Sequence, residues 1–180
     1  RLAALMHALD TLPKTTIAAV QGPAYGGGVG LVACCDIAIA SSNARFSLSE
    51  VKLGLIPSAI SPYVVAAIGP RQARRWFQTA ELFDAHTAHA IGRVHETVAP
   101  EALEARVAEL VAALMKGAPG ARREAKRLVR DVAHQTIDAA LMEMTAVRIA
   151  EIRAGEEARE GLDAFLAHRP ASWTVPGNVR

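Results

Sequence analysis

Three consecutive glycines in the first quarter of the chain are the feature of the sequence that best suits a chemical role. Gly26, Gly27 and Gly28, called here the glycine segment, follow a β-branched run and open an apolar helical stretch. The first N–H groups of a helix have no partner within it, and glycine leaves the backbone open to close approach. An anion, or an oxygen that becomes anionic during a reaction, can therefore bind there.

A second explanation of the glycine segment is tight packing alone, and residue types do not separate the two. The segment differs from the common phosphate-binding motifs, because the G-x-G-x-x-G spacing is absent and no lysine follows the glycines. Its function must therefore be argued from the residues that the fold brings to it.

Glu50 is the candidate for proton transfer. Its near neighbours Val51 and Leu53 are apolar. A carboxyl group among apolar side chains holds a proton more readily than one in water, which suits a general acid or base near neutral pH. The alternative is an exposed glutamate at the start of a helix, where its charge complements the helix dipole.

Composition sets broad limits on the function. The 180 residues suit one domain, and 20 basic residues against 18 acidic ones give a net charge of +2, which does not indicate binding to nucleic acid or to a membrane. Adjacent Cys34 and Cys35 cannot easily form a disulfide with each other, which favours a reducing, cytoplasmic compartment.

The chain starts at Arg1 inside a helical pattern without a signal peptide, so we expect a fragment of a longer chain.

The hydrophobic pattern predicts an α/β chain. Strands at 15–20 and 36–40 flank a helix at 27–35, which implies a parallel crossover. A short strand at 44–47 follows, and then helices at 58–69, 70–80 and 85–91, the last with Asp84 as its cap, and a strand at 94–98. Beyond Pro100 the pattern predicts helices at 101–116, 119–134, 135–153 and 156–168, followed by a tail from Pro170 without a regular pattern.

Two further clusters have a structural and a functional explanation. A basic stripe could meet nucleic acid or ligand phosphates, but it also suits a solvated helix face paired with Glu124 and Asp131. His86 and His89 lie one helical turn apart, yet no Cys or paired acids stand near them, so no metal site is predicted. The stripe consists of Arg122, Arg123, Lys126, Arg127 and Arg130.

Taken as an ordered set, six motifs resemble the crotonase (enoyl-CoA hydratase/isomerase) superfamily over the whole chain. The set combines the strand and glycine segment at 17–28 with the segments at 35–40, 44–47, 49–57, 84–92 and 160–170. The variant of the glycine helix and the segment Ile60–Val65 look closest to methylglutaconyl-CoA hydratase-like bacterial members.

The resemblance implies a crotonase-like ββα spiral core with a C-terminal helical region, the N-terminal part of the fold being absent from this chain. Residues 1–100 would form the partial core, and 101–180 a helical trimerisation region. The resemblance further implies a homotrimer or a dimer of trimers. The substrate would be an acyl-CoA, with coenzyme A as part of it and no separate cofactor, and no nucleic acid or membrane partner is expected.

The resemblance also assigns residues. Glu50 and Gly27 would be catalytic, the N–H of Gly27 being one donor of an oxyanion hole. Substrate contacts are expected from Gly26, Gly28, Gly30, Pro57 and Phe165. Gly30 stands where two-glutamate hydratases carry their first catalytic glutamate, and we expect its missing side chain to leave room for substrate. The loop that supplies the family's other oxyanion donor is not in this sequence.

Three functions remain open on this basis. The first is hydration of an α,β-unsaturated acyl-CoA with enolate stabilisation in the oxyanion hole. The second is double-bond isomerisation, since one carboxylate suffices to move a proton between two carbons. The third is a non-catalytic crotonase-like binding protein, for which the basic stripe would offer a surface.

Overall fold

The chain is described by a computed structural model over residues 1–175, as two compact units. The first unit comprises Arg1–Glu109, and the second begins at Leu110. The division falls within a helix, after the boundary at residue 100 that the sequence predicts.

All the described strands belong to the first unit. They are β1 (Ile17–Val20), β2 (Pro23–Tyr25), β3 (Ile37–Ser41), β4 (Arg45–Ser47), β5 (Phe83–Asp84) and β6 (Glu96–Val98). One sheet has the order β1-β3-β6 and is parallel throughout, whereas the other has the order β2-β4-β5, with β2 and β4 parallel and β5 antiparallel. The predicted parallel crossover between β1 and β3 is confirmed.

Eight α-helices and three 3₁₀ helices complete the described residues. The α-helices are α1 (Leu2–Asp10), α2 (Gly27–Ala33), α3 (Ser61–Thr79), α4 (Ala85–Ala90), α5 (Leu103–Leu114), α6 (Pro119–Val132), α7 (Ala139–Ala154) and α8 (Glu156–Leu166). The 3₁₀ helices are Ser49–Leu53, Pro100–Ala102 and Ser172–Thr174. The last of them lies in a tail that the sequence pattern predicts to be irregular.

The short strands β2 and β5 were not predicted from the sequence. Pro23 begins β2, a position where the missing N–H costs little, and the three residues of β2 are too few to show an alternating pattern. Their extended conformation depends on pairing with β4, whose partners come from distant parts of the sequence.

Local sequence signals account for a break and a cap among the helices of the first unit. The two helices predicted at 58–69 and 70–80 form the single helix α3, which kinks where Gly69 has a φ of 75° and Pro70 follows. Asp84 caps α4 as predicted, because its carboxylate accepts the N–H of Thr87 at 2.8 Å.

The hydrophobic core of the first unit lies around the second sheet and α2. Phe46, Met6, Leu48 and Ile60 are its largest fully buried side chains. Phe46 stacks on Phe83 with ring centroids 5.6 Å apart. This core fixes β4, and thereby the residues immediately after it.

The second unit is built differently, since its described helices bury few apolar side chains. Ala118 and Ala164 are its buried hydrophobic residues within 110–175. Across the described residues, the search for a helix long and apolar enough to cross a membrane found none.

Candidate active site

The second sheet brings the glycine segment and Glu50 together. Strands β2 and β4 are parallel neighbours in which Tyr25 pairs with Ser47. The N–H of Gly26 continues this ladder by donating to the Ser47 carbonyl at 2.9 Å. Parallel strands end at the same edge of a sheet, so the residues after Tyr25 and those after Ser47 emerge side by side. The glycine segment comes first and Glu50 second.

Gly26 needs to be glycine for two reasons. Its φ is 48° and its ψ is −116°, a backbone conformation that side chains rarely permit. A methyl group at this position would also lie 3.2 Å from Glu50 Oε1. The absence of a side chain therefore allows the carboxylate to lie directly against the glycine segment.

Gly27 is open to an incoming ligand. A methyl group built there would meet no heavy atom within 4 Å. Hydrogen bonding back along α2 starts at Gly30, whose N–H donates to the Gly26 carbonyl at 3.3 Å. The N–H groups of Gly27 and Gly28 precede that ladder, so they are the ones that an external oxygen would meet.

Glu50 is held by a 3₁₀ turn rather than by an α-helix. The turn Ser49–Leu53 starts after buried Leu48 and ends at Gly54, whose φ is 71°. The Glu50 carbonyl accepts the N–H of Leu55 at 3.0 Å, which closes the turn behind the side chain. The carboxylate is consequently presented by a fixed backbone.

The Glu50 carboxylate has one oxygen that the rest of the described chain leaves unsatisfied. Glu50 Oε2 is buried, and no described residue offers it a hydrogen bond. A buried carboxylate oxygen without a donor is costly, so it calls for a partner such as a water, a ligand or a reacting group. Glu50 is thus available to accept or deliver a proton beside the glycine segment.

We expected the missing side chain of Gly30 to leave room for substrate, but other side chains of the protein fill this space. A methyl group at Gly30 would lie 2.2 Å from Ile60 Cγ2 and 3.0 Å from Met6 Cε, because both side chains pack against α2. The missing side chain makes room for Ile60, which was not among the predicted site residues. Ile60 precedes the first residue of α3, and an apolar residue at a helix start carries no sequence signal for such a contact.

Pro57 and Phe165 are the remaining predicted contact residues. Pro57 is buried after the Glu50 turn. Phe165 lies on α8 in the second unit, where 76% of its surface is exposed. Their roles in substrate binding stay predictions.

The basic stripe carries ion pairs along its helix. Arg127 lies 3.5 Å from Asp131 and 3.9 Å from Glu124, and Arg123 lies 3.3 Å from Glu124. These are the pairs that the solvated-face explanation predicts. Over residues 1–175, a search for three or more His, Cys, Asp or Glu side chains placed to hold a metal ion found no such group.

Comparison with known proteins gives the family. The sequence profile for enoyl-CoA hydratase/isomerase matches residues 1–176. An enoyl-CoA hydratase of Alternaria alternata is 39% identical over 173 residues, covering 94% of this chain and 57% of that protein. A crotonyl-CoA hydratase of Syntrophomonas wolfei is 34% identical over 166 residues, covering 92% of this chain and 64% of that protein.

The fold agrees with solved structures of the same kind. An enoyl-CoA hydratase from Shewanella pealeana superposes with a TM-score of 0.92 at 46% identity, covering 96% of this chain and 64% of that one. The chain thus spans less than two thirds of these relatives, and the predicted crotonase-like α/β fold with a helical C-terminal region is confirmed. With the profile match extending over nearly every residue, the chain belongs to the enoyl-CoA hydratase/isomerase family.

Proposed function

We propose that the full-length protein adds water to the double bond of a 2-enoyl-CoA thioester. The observation that carries this proposal is the Glu50 carboxylate, which lies against the glycine segment with Oε2 buried and without a hydrogen-bond donor among the described residues. Coenzyme A enters as part of the substrate, and the chemistry needs no other cofactor.

In the proposed reaction the water oxygen forms a bond to C3 while Glu50 takes its proton. The electron pair of the double bond moves onto the thioester, whose oxygen becomes an enolate. The N–H of Gly27 donates to that oxygen, and one such donor typically contributes about 3–4 kcal/mol to the transition state. Collapse of the enolate then transfers a proton to C2, for which Glu50 is the available donor.

The surroundings of Glu50 support an acyl substrate. Leu53, Leu55 and Ile56 follow the glutamate with exposed side chains, and Tyr25 precedes the glycine segment. Exposed apolar side chains beside a carboxylate suit a ligand with an apolar chain and a reacting carbonyl. Gly26 and Gly28 would line the approach to the thioester.

Isomerisation of a 3-enoyl-CoA is the second candidate, and the packing at Gly30 favours it. Ile60 fills the space beside Gly30, where a second catalytic carboxylate on α2 would lie. Glu50 would then be the single carboxylate that transfers protons. Isomerisation needs no water, only transfer of a proton from C2 to C4. A non-catalytic binding protein is the outcome if neither substrate is turned over.

The decisive experiment compares the full-length protein with its Glu50→Gln variant. Hydration lowers the absorbance of a conjugated 2-enoyl-CoA, whereas isomerisation of a 3-enoyl-CoA raises it. Glu50→Gln should reduce the active reaction by about 10²–10⁴-fold, the range for a lost general base. Glu104→Gln, an exposed glutamate on α5, is the matched control. An unchanged rate in Glu50→Gln would remove Glu50 from the mechanism.

The methylglutaconyl-CoA hydratase-like specificity, the homotrimer or dimer of trimers and the cytoplasmic location belong to the same proposal. The exposed apolar side chains of α7 and α8, Phe165 among them, support assembly, and Cys34 and Cys35, which form no disulfide among the described residues, are compatible with a reducing compartment. A higher kcat/KM for 3-methylglutaconyl-CoA than for crotonyl-CoA would support the specificity. A solution mass equal to three or six chains would support the proposed assembly.

A further inference from the structure

Arg93 is a buried charge that the proposed reaction has not used. Only 3% of its surface is exposed. Arg93 follows Gly92, shortly after the end of α4. Gly92 has a φ of 77°, and the Arg93 N–H bonds back to the Ala88 carbonyl at 2.7 Å. The backbone therefore turns sharply at this point and holds Arg93 against the end of α4.

The guanidinium group makes one hydrogen bond to a described residue, and that bond goes to α2. Its Nη2 donates to the Val29 carbonyl, while Nε and Nη1 are buried without a partner among residues 1–175. The partner helix is the one that starts at Gly27. An α-helix rises about 1.5 Å per residue, so Val29 lies about 3 Å along the axis from Gly27.

No described carboxylate neutralises this charge. Burial lowers the pKa of Arg93 to about 10, and the smaller effect of the Cys34 and Cys35 thiols acts in the opposite direction. The side chain therefore stays protonated near neutral pH. An apolar residue of similar volume would avoid the desolvation cost, so packing alone gives no reason for a buried cation here.

We propose that Arg93 is a positioning residue, which acts through the Val29 carbonyl to hold α2 and the glycine segment in place for the thioester oxygen. This inference rests on the proposed acyl-CoA chemistry. The fixed hydrogen bond limits movement of Gly27 relative to Glu50, and the unpaired charge behind the segment favours negative charge on the bound oxygen. Arg93 itself touches neither the substrate nor Glu50.

The test uses full-length protein with Arg93→Met and Arg93→Leu, which remove the charge, and Arg93→Lys, which keeps it. Arg74→Leu removes an exposed arginine of the same unit and is the matched control. The first readout is the split between kcat and KM on a 2-enoyl-CoA. The second is the absorbance of bound dimethylaminocinnamoyl-CoA, which moves to longer wavelength when its carbonyl oxygen accepts hydrogen bonds.

We expect Arg93→Met and Arg93→Leu to lower kcat about tenfold, with KM changed less than about twofold, and to reduce the spectral shift. Arg93→Lys should restore part of both. The melting temperature should not fall in the apolar variants, since replacing a buried unpaired charge with an apolar side chain is commonly neutral or stabilising. Arg74→Leu should behave as wild type.

Wild-type kcat and wild-type spectral shift in the apolar variants would overturn the role of Arg93 and leave the hydratase proposal standing. A wild-type protein that shifts the chromophore but turns over neither enoyl-CoA would overturn the reaction, and the variants would still decide Arg93 through the shift. If neither apolar variant folds, the charge is structural and the inference fails.

Discussion

The two units of the chain are stabilised in different ways. In the first, fully buried side chains such as Phe46 and Met6 form a continuous core beneath the second sheet and α2. In the second, polar contacts dominate: Glu157 accepts the N–H groups of Gly120 and Ala121 at 2.8 and 2.9 Å, and Arg169 pairs with Glu160 at 2.7 Å. The candidate active site lies on the unit with the core.

This difference indicates what each unit contributes. Catalytic geometry needs a backbone that does not move, and apolar burial supplies that rigidity around Gly26 and Glu50. Exposed ion pairs add little stability, so the second unit holds its helices less firmly in the isolated chain. Its exposed apolar side chains, Phe165 for example, are typical of a protein–protein interface.

The largest effect expected from this comparison is on the core phenylalanine. Phe46→Ala should lower the free energy of unfolding by about 3–5 kcal/mol, because it leaves a cavity next to Phe83. Phe165→Ala, the matched change in the second unit, should alter the unfolding of the isolated chain by less than about 0.5 kcal/mol. Urea unfolding measures both, and equal effects would refute the difference between the units.

An intermediate effect is expected where a methyl group is added to a glycine. Gly30→Ala should cost about 1–3 kcal/mol, since the new Cβ overlaps the branched side chain of Ile60, which is itself buried. Gly120→Ala meets the carboxylate of Glu157, at 2.7 Å, and moving that flexible group weakens its hydrogen bonds to the Gly120 and Ala121 N–H groups. The gain of about 0.5–1 kcal/mol in helix propensity offsets part of that loss, so the net cost should be smaller than that of Gly30→Ala.

Thermal denaturation of Gly30→Ala and Gly120→Ala compares their losses of stability directly. A stable Gly30→Ala protein would mean that Ile60 can move away from α2. The packing beside the glycine segment would then be looser than the contacts imply.

The smallest effect concerns acid. The Arg169 guanidinium, helped by the Ser172 N–H, lowers the pKa of Glu160 from 4.5 to about 2. A group with a lowered pKa stabilises the folded state above its unfolded value and loses that contribution as the pH falls. Trp173, which donates to the Lys116 carbonyl, should therefore change its fluorescence between pH 4.5 and pH 2.

Glu160→Gln should abolish this acid transition when it is followed in a Trp76→Phe background, which leaves Trp173 as the reporter. Exposed Glu143→Gln should leave the transition in place. A transition of the same size in Glu160→Gln would assign it to another carboxyl group.

Sequence reasoning succeeded where local chemistry decides the outcome. The break at Gly69 and the cap at Asp84 depend on a few neighbouring residues: the break is present as a kink within α3 rather than as a division between two helices, and the cap is confirmed. It failed for β2 and β5, whose conformation depends on β4. It also missed the burial of Arg93, although an arginine between Gly92 and Val94 in an apolar segment was visible as an exception.

For the candidate site, the sequence by itself determined the chemical groups: glycines that expose a backbone N–H and one glutamate among apolar neighbours. Their ordered motifs also determined the family. Only the tertiary structure decided that Glu50 lies against Gly26, that Ile60 fills the space at Gly30 and that Arg93 bonds to α2. The physical reason is that parallel pairing and core packing join residues far apart in sequence, and neither leaves a local pattern.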